Sequence, residues 1–183
     1  MNHRRRVVGG SPRFGSAHLR LAHHTLARTT FCYPDSAFEP RHFGVASALS
    51  ALISLAEDDD PDPLDDYVEA QVHGSVELDR DVEALVLDPC YRGTSVEAAA
   101  NRLACPVEWH SGFTLTTTEL RAHPDYRGPG FVRLGESLAR AGRLNPRILG
   151  DASRSGHHDG QGLKRVWHYL ARFGCAELAS ADP

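Results

Sequence analysis

The chain has 183 residues, 41% of them hydrophobic and 24% charged, with a net charge of −4. That length and composition suit one ordinary domain, or two small ones sharing a core, and exclude wholesale disorder. The longest uncharged run, residues 43–56, is too short to span a bilayer. Arg4, Arg5 and Arg6 are not followed by the apolar stretch of a signal peptide, so a cytoplasmic protein with no membrane partner is expected.

Charge is strongly segregated along the chain. Residues 1–34 carry six arginines and no acid, residues 57–88 carry thirteen acids against Arg80 alone, and residues 121–172 are again basic, at net +6. The acidic middle would repel a polyanion, so a nucleic-acid partner is not expected. The four cysteines, Cys32, Cys90, Cys105 and Cys175, form no CxxC pair. Their wide spacing and apolar settings fit buried free thiols in a reducing compartment.

Alternation of Ala17, Leu19 and Leu21 with Ser16, His18 and Arg20 predicts a strand over residues 14–21. A turn and a second strand follow to Tyr33 and end in Pro34-Asp35-Ser36. Val45, Ala48, Leu49, Leu52 and Ile53 fall at helical spacing, and the Ala and Ser on the other faces suggest a helix buried on most sides. Residues 57–66 read as an extended, solvated acidic loop. The clearest strand is 67–73, with Val68, Ala70 and Val72 on one face and Tyr67, Glu69, Gln71 and His73 on the other. Val76 and Leu78 read as its continuation, and residues 83–87 as the next strand.

Thr94 and Glu97 form a capping box for a short helix, after which residues 107–110 suggest an edge strand. From about residue 116 the pattern is helical. Thr116 and Glu119 cap one helix, Pro129 opens another with Gly142 as its expected C-cap, and Asn145-Pro146 opens a third. Asp159 caps a last helix carrying the stripe Leu163, Val166, Trp167 and Leu170, which Gly174 ends. Lys164, Arg165, His168 and Arg172 read as its solvated basic face. The expected fold is therefore α+β: a mixed part at 1–115 holding the candidate site, a helical part at 116–174 packed on it, and a loose tail at 175–183.

The strongest chemical constellation is Glu69, Gln71 and His73, which one strand aims the same way roughly 7 Å apart. A carboxylate, an amide and an imidazole so placed can stabilise a developing cation, act as base and orient a substrate. Ser16 and His18 form a second polar strand face that joins this one if both line a shared cleft. A thiol beside Asp35 is not activated by it, which disfavours Cys32 as a nucleophile. His157, His158 and Asp159, or His23 and His24, lack chelating geometry, so no metal is expected. A hydrolase built on a metal at His73 and His110 is a weaker alternative.

Six stretches carry a resemblance: 9–21 (GGSPRFGSAHLRL), 29–36 (TTFCYPDS), 67–74 (YVEAQVHG), 87–93 (LDPCYRG), 105–110 (CPVEWH) and 166–174 (VWHYLARFG). Over roughly residues 4–174 the chain resembles an uncharacterised bacterial family, number 3626 in the domain-of-unknown-function series. More distantly, its order of a serine-bearing strand, a Thr-Phe and Asp-Ser segment and a strand with an exposed Glu is similar to the ADP-ribosyltransferase superfamily. That similarity implies a split sheet that binds or cleaves NAD and modifies a protein acceptor. Glu69 would be the catalytic acid with Gln71 and His73 beside it, and Ser16, His18 and Arg13 would hold the cofactor. The superfamily also has an earlier strand that grips NAD, and nothing strand-like precedes Phe14 here, so a domain truncated at its N-terminus and inactive alone is expected. The competing expectation is a non-enzymatic, immunity-like module that engages a basic partner through acidic loop 57–66.

Overall fold

Two three-stranded sheets divide the strand-rich half of the chain in a computed structural model that describes residues 1–179. In chain order the first elements are β1 (His18–Leu21), β2 (Thr29–Tyr33), β3 (His42–Val45), α1 (Leu49–Asp58) and β4 (Glu69–Val72). A single helical turn, α2 (Leu78–Asp81), leads into β5 (Val82–Leu87), α3 (Ser95–Ala100) and β6 (Val107–Trp109). One sheet has the order β1-β5-β6, with β1 antiparallel and β6 parallel to β5. The other has the order β3-β2-β4, antiparallel throughout.

The C-terminal part holds a two-stranded ribbon, β7 (Leu115–Thr116) with β8 (Arg143–Leu144), among five helices. These are α4 (Thr117–Ala122), α5 (Pro129–Leu138), α6 (Pro146–Ser155), α7 (Gly160–Phe173) and α8 (Ala176–Ala179). Strands thus concentrate early and helices late, in an α+β fold. The caps at Thr94, Thr116, Asn145 and Asp159 all accept backbone N–H groups of the helices they open. Glu97 completes the first box one residue early, on the N–H of Gly93.

Two apolar clusters hold the fold. The larger joins Leu120, Val132, Leu144, Val166, Tyr169 and Leu170 of the helical part to Phe113, Leu64 and Val8. The smaller lies under α1 and joins Phe31, Tyr33, Leu52, Ala56 and Val68. On β2 and β4 the alternation therefore sends Phe31, Tyr33 and Val68 inward and Thr30, Glu69 and Gln71 to the other face.

Several elements differ from the sequence expectation. The first strand starts only at His18, because Pro12–Phe14 forms a 3-10 turn. Helix α1 buries only Leu52 and Ala56, so its Ala and Ser faces look at solvent rather than at a second layer. Residues 78–81 are a helical turn and not a strand continuation. The buried Asp81 carboxylate accepts the N–H of Glu77 and is gripped by Arg28, Arg80 and His24. Helix α5 stops at Leu138, and Gly142 instead serves the tight Arg140–Arg143 turn that leads into β8, at φ +71°. On α7, Lys164 and Arg165 are exposed, but His168 and Arg172 are buried. Beyond Cys175, Leu178 is fully buried and its carbonyl accepts from Arg172 at 2.6 Å; residues 180–183 lie outside the described ones.

The acidic loop is not simply solvated. Asp66 is buried and meets Arg4 at 3.1 Å, Arg6 at 2.6 Å and His3 at 3.1 Å. Asp65 pairs with Arg13, Asp62 receives Tyr126 and Arg127, and Asp59 receives the Tyr33 hydroxyl. The basic start and the acidic middle thus neutralise each other across the fold. Glu57, Asp58 and Asp60 remain exposed.

Candidate functional site

The outward face of β3-β2-β4 is built rung by rung from its register. Phe43, Cys32 and Glu69 form one rung, and Val45, Thr30 and Gln71 the next. Glu69 sits at the end of the sheet where the turn after β2 folds back over it. Ser36, in that turn, donates its backbone N–H to Glu69 Oε2 at 2.6 Å, and Gln71 Nε2 donates to Oε1 at 3.1 Å. The backbone N–H and hydroxyl of Ser36, then Gln71, hold the Glu69 carboxyl below its ordinary range. It is a fixed anion, suited to stabilising positive charge rather than to taking up a proton.

The turn is itself held. Asp35 accepts the Tyr67 hydroxyl and caps the N–H of Ala37 at 2.7 Å. His73 Nε2 lies 2.9 Å from the Thr30 hydroxyl, and the His73 carbonyl accepts from Arg28 at 2.5 Å. Cys32 is buried in the middle of the face, and burial and the Glu69 charge push its thiol pKa up. It is a packed thiol and not an activated nucleophile. Phe43 is 71% exposed and Val45 52%, so the anion faces solvent beside an open apolar strip.

Glu69, Gln71 and His73 therefore come together as their spacing implies, with Thr30 and Ser36 added. Ser16, His18 and Arg13 do not join them. They belong to, or precede, a strand of the other sheet. The Ser16 carbonyl accepts from His110 Nε2 at 2.6 Å, and its buried hydroxyl bonds Tyr91. Arg13 is committed to Asp65. His18 lines a cleft of about 980 Å³ between the sheets, whose other wall includes Ala70 and Val72. Those two residues lie on the face of β4 opposite Glu69. The shared cleft expected for Ser16, His18 and Glu69 does not form, because β1 pairs with β5 and not with β2 or β4.

Ser36 was invisible as a site residue to strand alternation, since it lies in a turn. Its only signal was the Asp-Ser pair closing the 29–36 motif. His110, one candidate for a metal, is on the other sheet's side and uses both ring nitrogens, accepting the Gly112 N–H at 2.9 Å. Among the described residues no group of three His, Cys, Asp or Glu side chains is placed to hold a metal ion. No helix among them is long and apolar enough to cross a membrane.

The fold and site define an α+β protein with two small sheets, one of which presents a clamped carboxylate on an open face. The model of a family described as a protein of unknown function (DUF3626) matches residues 49–173, and the chain belongs to that family. The match begins after the 9–21 and 29–36 stretches. None of the curated proteins matches the chain. None of the solved structures matches it either.

Proposed function

We propose that the open face of β3-β2-β4 is the glycosyl-transfer site of an ADP-ribosyltransferase-like domain that binds or cleaves NAD. The observation that carries this reading is the Glu69 carboxylate, kept ionised by Ser36 and Gln71 on a solvent-facing strand. In such a transfer the bond between the nicotinamide nitrogen and ribose C1′ breaks. Its electron pair leaves on nicotinamide, and the ribose becomes oxocarbenium-like. An acceptor nucleophile, or water, then bonds C1′ and gives up its proton to solvent. A fixed anion accepting a ribose hydroxyl lowers the energy of that cation. Gln71 and His73 flank the carboxylate, and exposed Phe43 offers a ring face two strands away, roughly 10 Å off.

The test is nicotinamide release from labelled NAD, with and without added protein acceptors. Glu69→Gln keeps the size of the side chain and removes the charge, so release should fall at least about a hundredfold. Equal release by the wild-type and Glu69→Gln chains, or neither release nor saturable binding of NAD by the wild-type chain, overturns the reading.

A further inference from the structure

The cleft between the sheets lies on the far side of β4 from Glu69, so what it does goes beyond the NAD reading. All residues of β1 line it, from His18 to Leu21, together with Ala17 and Ala22. A cleft that meets both side-chain faces of a strand runs along that strand's edge. The register tells which backbone groups lie there. Leu85 of β5 pairs opposite Leu19, yet it donates its N–H to Pro106 on the β6 side at 2.8 Å. In an antiparallel ladder, bonded and non-bonded pairs alternate. Leu19 therefore aims its own N–H and C=O away from β5, into the cleft, and among the described residues neither has a backbone partner.

The far wall is apolar, formed by Phe31, Ala70, Val72 and Leu26. The charges at the rim are uneven. Arg20 is consumed by Glu108 at 2.6 Å and Glu83 at 3.3 Å, and Arg6 by Asp66. Arg5 and His23 also line the cleft, are exposed, and have no acid partner among the described residues. A free strand edge asks for another backbone, an apolar wall for alternate apolar side chains, and the uncompensated Arg5 for an acid.

We propose that this groove binds an extended acidic peptide, which adds a strand to the open edge of β1. Leu19 supplies the backbone pair, Ala70 and Val72 take the inward apolar side chains, and Arg5 takes the acid.

The probe is an end-blocked hexapeptide of alternating valine and threonine with one central aspartate. Its binding should be saturable and weakened by salt, and should slow hydrogen exchange of the Leu19 amide at least about tenfold. Arg5→Glu should weaken binding roughly tenfold. Ala70→Arg, a change at an exposed position, should abolish binding while the melting temperature stays put. Methylating the peptide nitrogens that face Leu19 should abolish binding as well. An unprotected Leu19 amide at saturation, equal binding of the methylated peptide, or no binding at all would overturn the proposal. So would a cleft that takes adenosine diphosphate and excludes the peptide. Glu69→Gln should leave peptide capture intact, which separates this result from failure of the NAD reading.

Discussion

Ser36 holds Glu69 by a 2.6 Å backbone hydrogen bond that spans 33 residues of chain. Removing that donor with Ser36→Pro should move the Glu69 pKa up toward the ordinary carboxylate range. In the wild-type chain the depressed pKa keeps Glu69 charged to lower pH. The acid limb of any Glu69-dependent activity should therefore shift to higher pH in the variant. Ser36→Ala, which keeps the N–H and loses only the hydroxyl, should shift it less. Carboxyl-carbon NMR titration of the three chains reads the effect directly.

His168 is fully enclosed, and neither of its ring nitrogens has a hydrogen-bond partner among the described residues. Burial, then the nearby charges of Arg127 and Arg13, lower its pKa to about 4. Below about pH 6.5 an unfolded chain takes up a proton that the folded chain refuses, so stability is lost as pH falls from there toward 4. The loss is at most about 3 kcal/mol. His168→Leu should flatten that part of the stability profile in urea titrations at several pH values. An unchanged slope would mean that other groups carry it.

Asp66 anchors the basic N-terminal segment from a buried position. Asp66→Ala leaves Arg6, itself largely covered, without its counter-charge and should cost about 2–4 kcal/mol. Trypsin should then cut after Arg4, Arg5 or Arg6 sooner than in the wild-type chain, because the segment opens before the rest unfolds.

Gly174 ends α7 where a Cβ would lie 2.4 Å from the Leu170 carbonyl oxygen and 3.1 Å from the backbone of Thr114. Neither is a flexible side-chain tip. Gly174→Ala should destabilise the chain by about 1–3 kcal/mol, seen as a lower urea midpoint with an unchanged slope.

Much of the local structure was legible in residue order. Thr116, Asn145, Asp159 and Pro129 mark helix starts because caps and proline act on the backbone within a few residues. The face of Glu69, Gln71 and His73 was legible because strand alternation is local geometry. Strand β3 was missed, since Phe43 and Val45 point to solvent on an edge and leave no amphipathic signature. The burial of His168 and Arg172 was missed because polar residues on a helix say nothing about what packs over them.

By itself, then, the sequence determined the α+β order, the helix caps and which three polar side chains share a strand face. Each depends on chain neighbours a few residues apart. Tertiary structure alone decided that Ser36 clamps Glu69, that Asp66 gathers the basic start, that Ser16 is bound to His110 on the other sheet's side, and that His18 lies across a cleft from the other side of β4. Those outcomes depend on which strands pair, and pairing between distant segments is set by the packing of the whole chain.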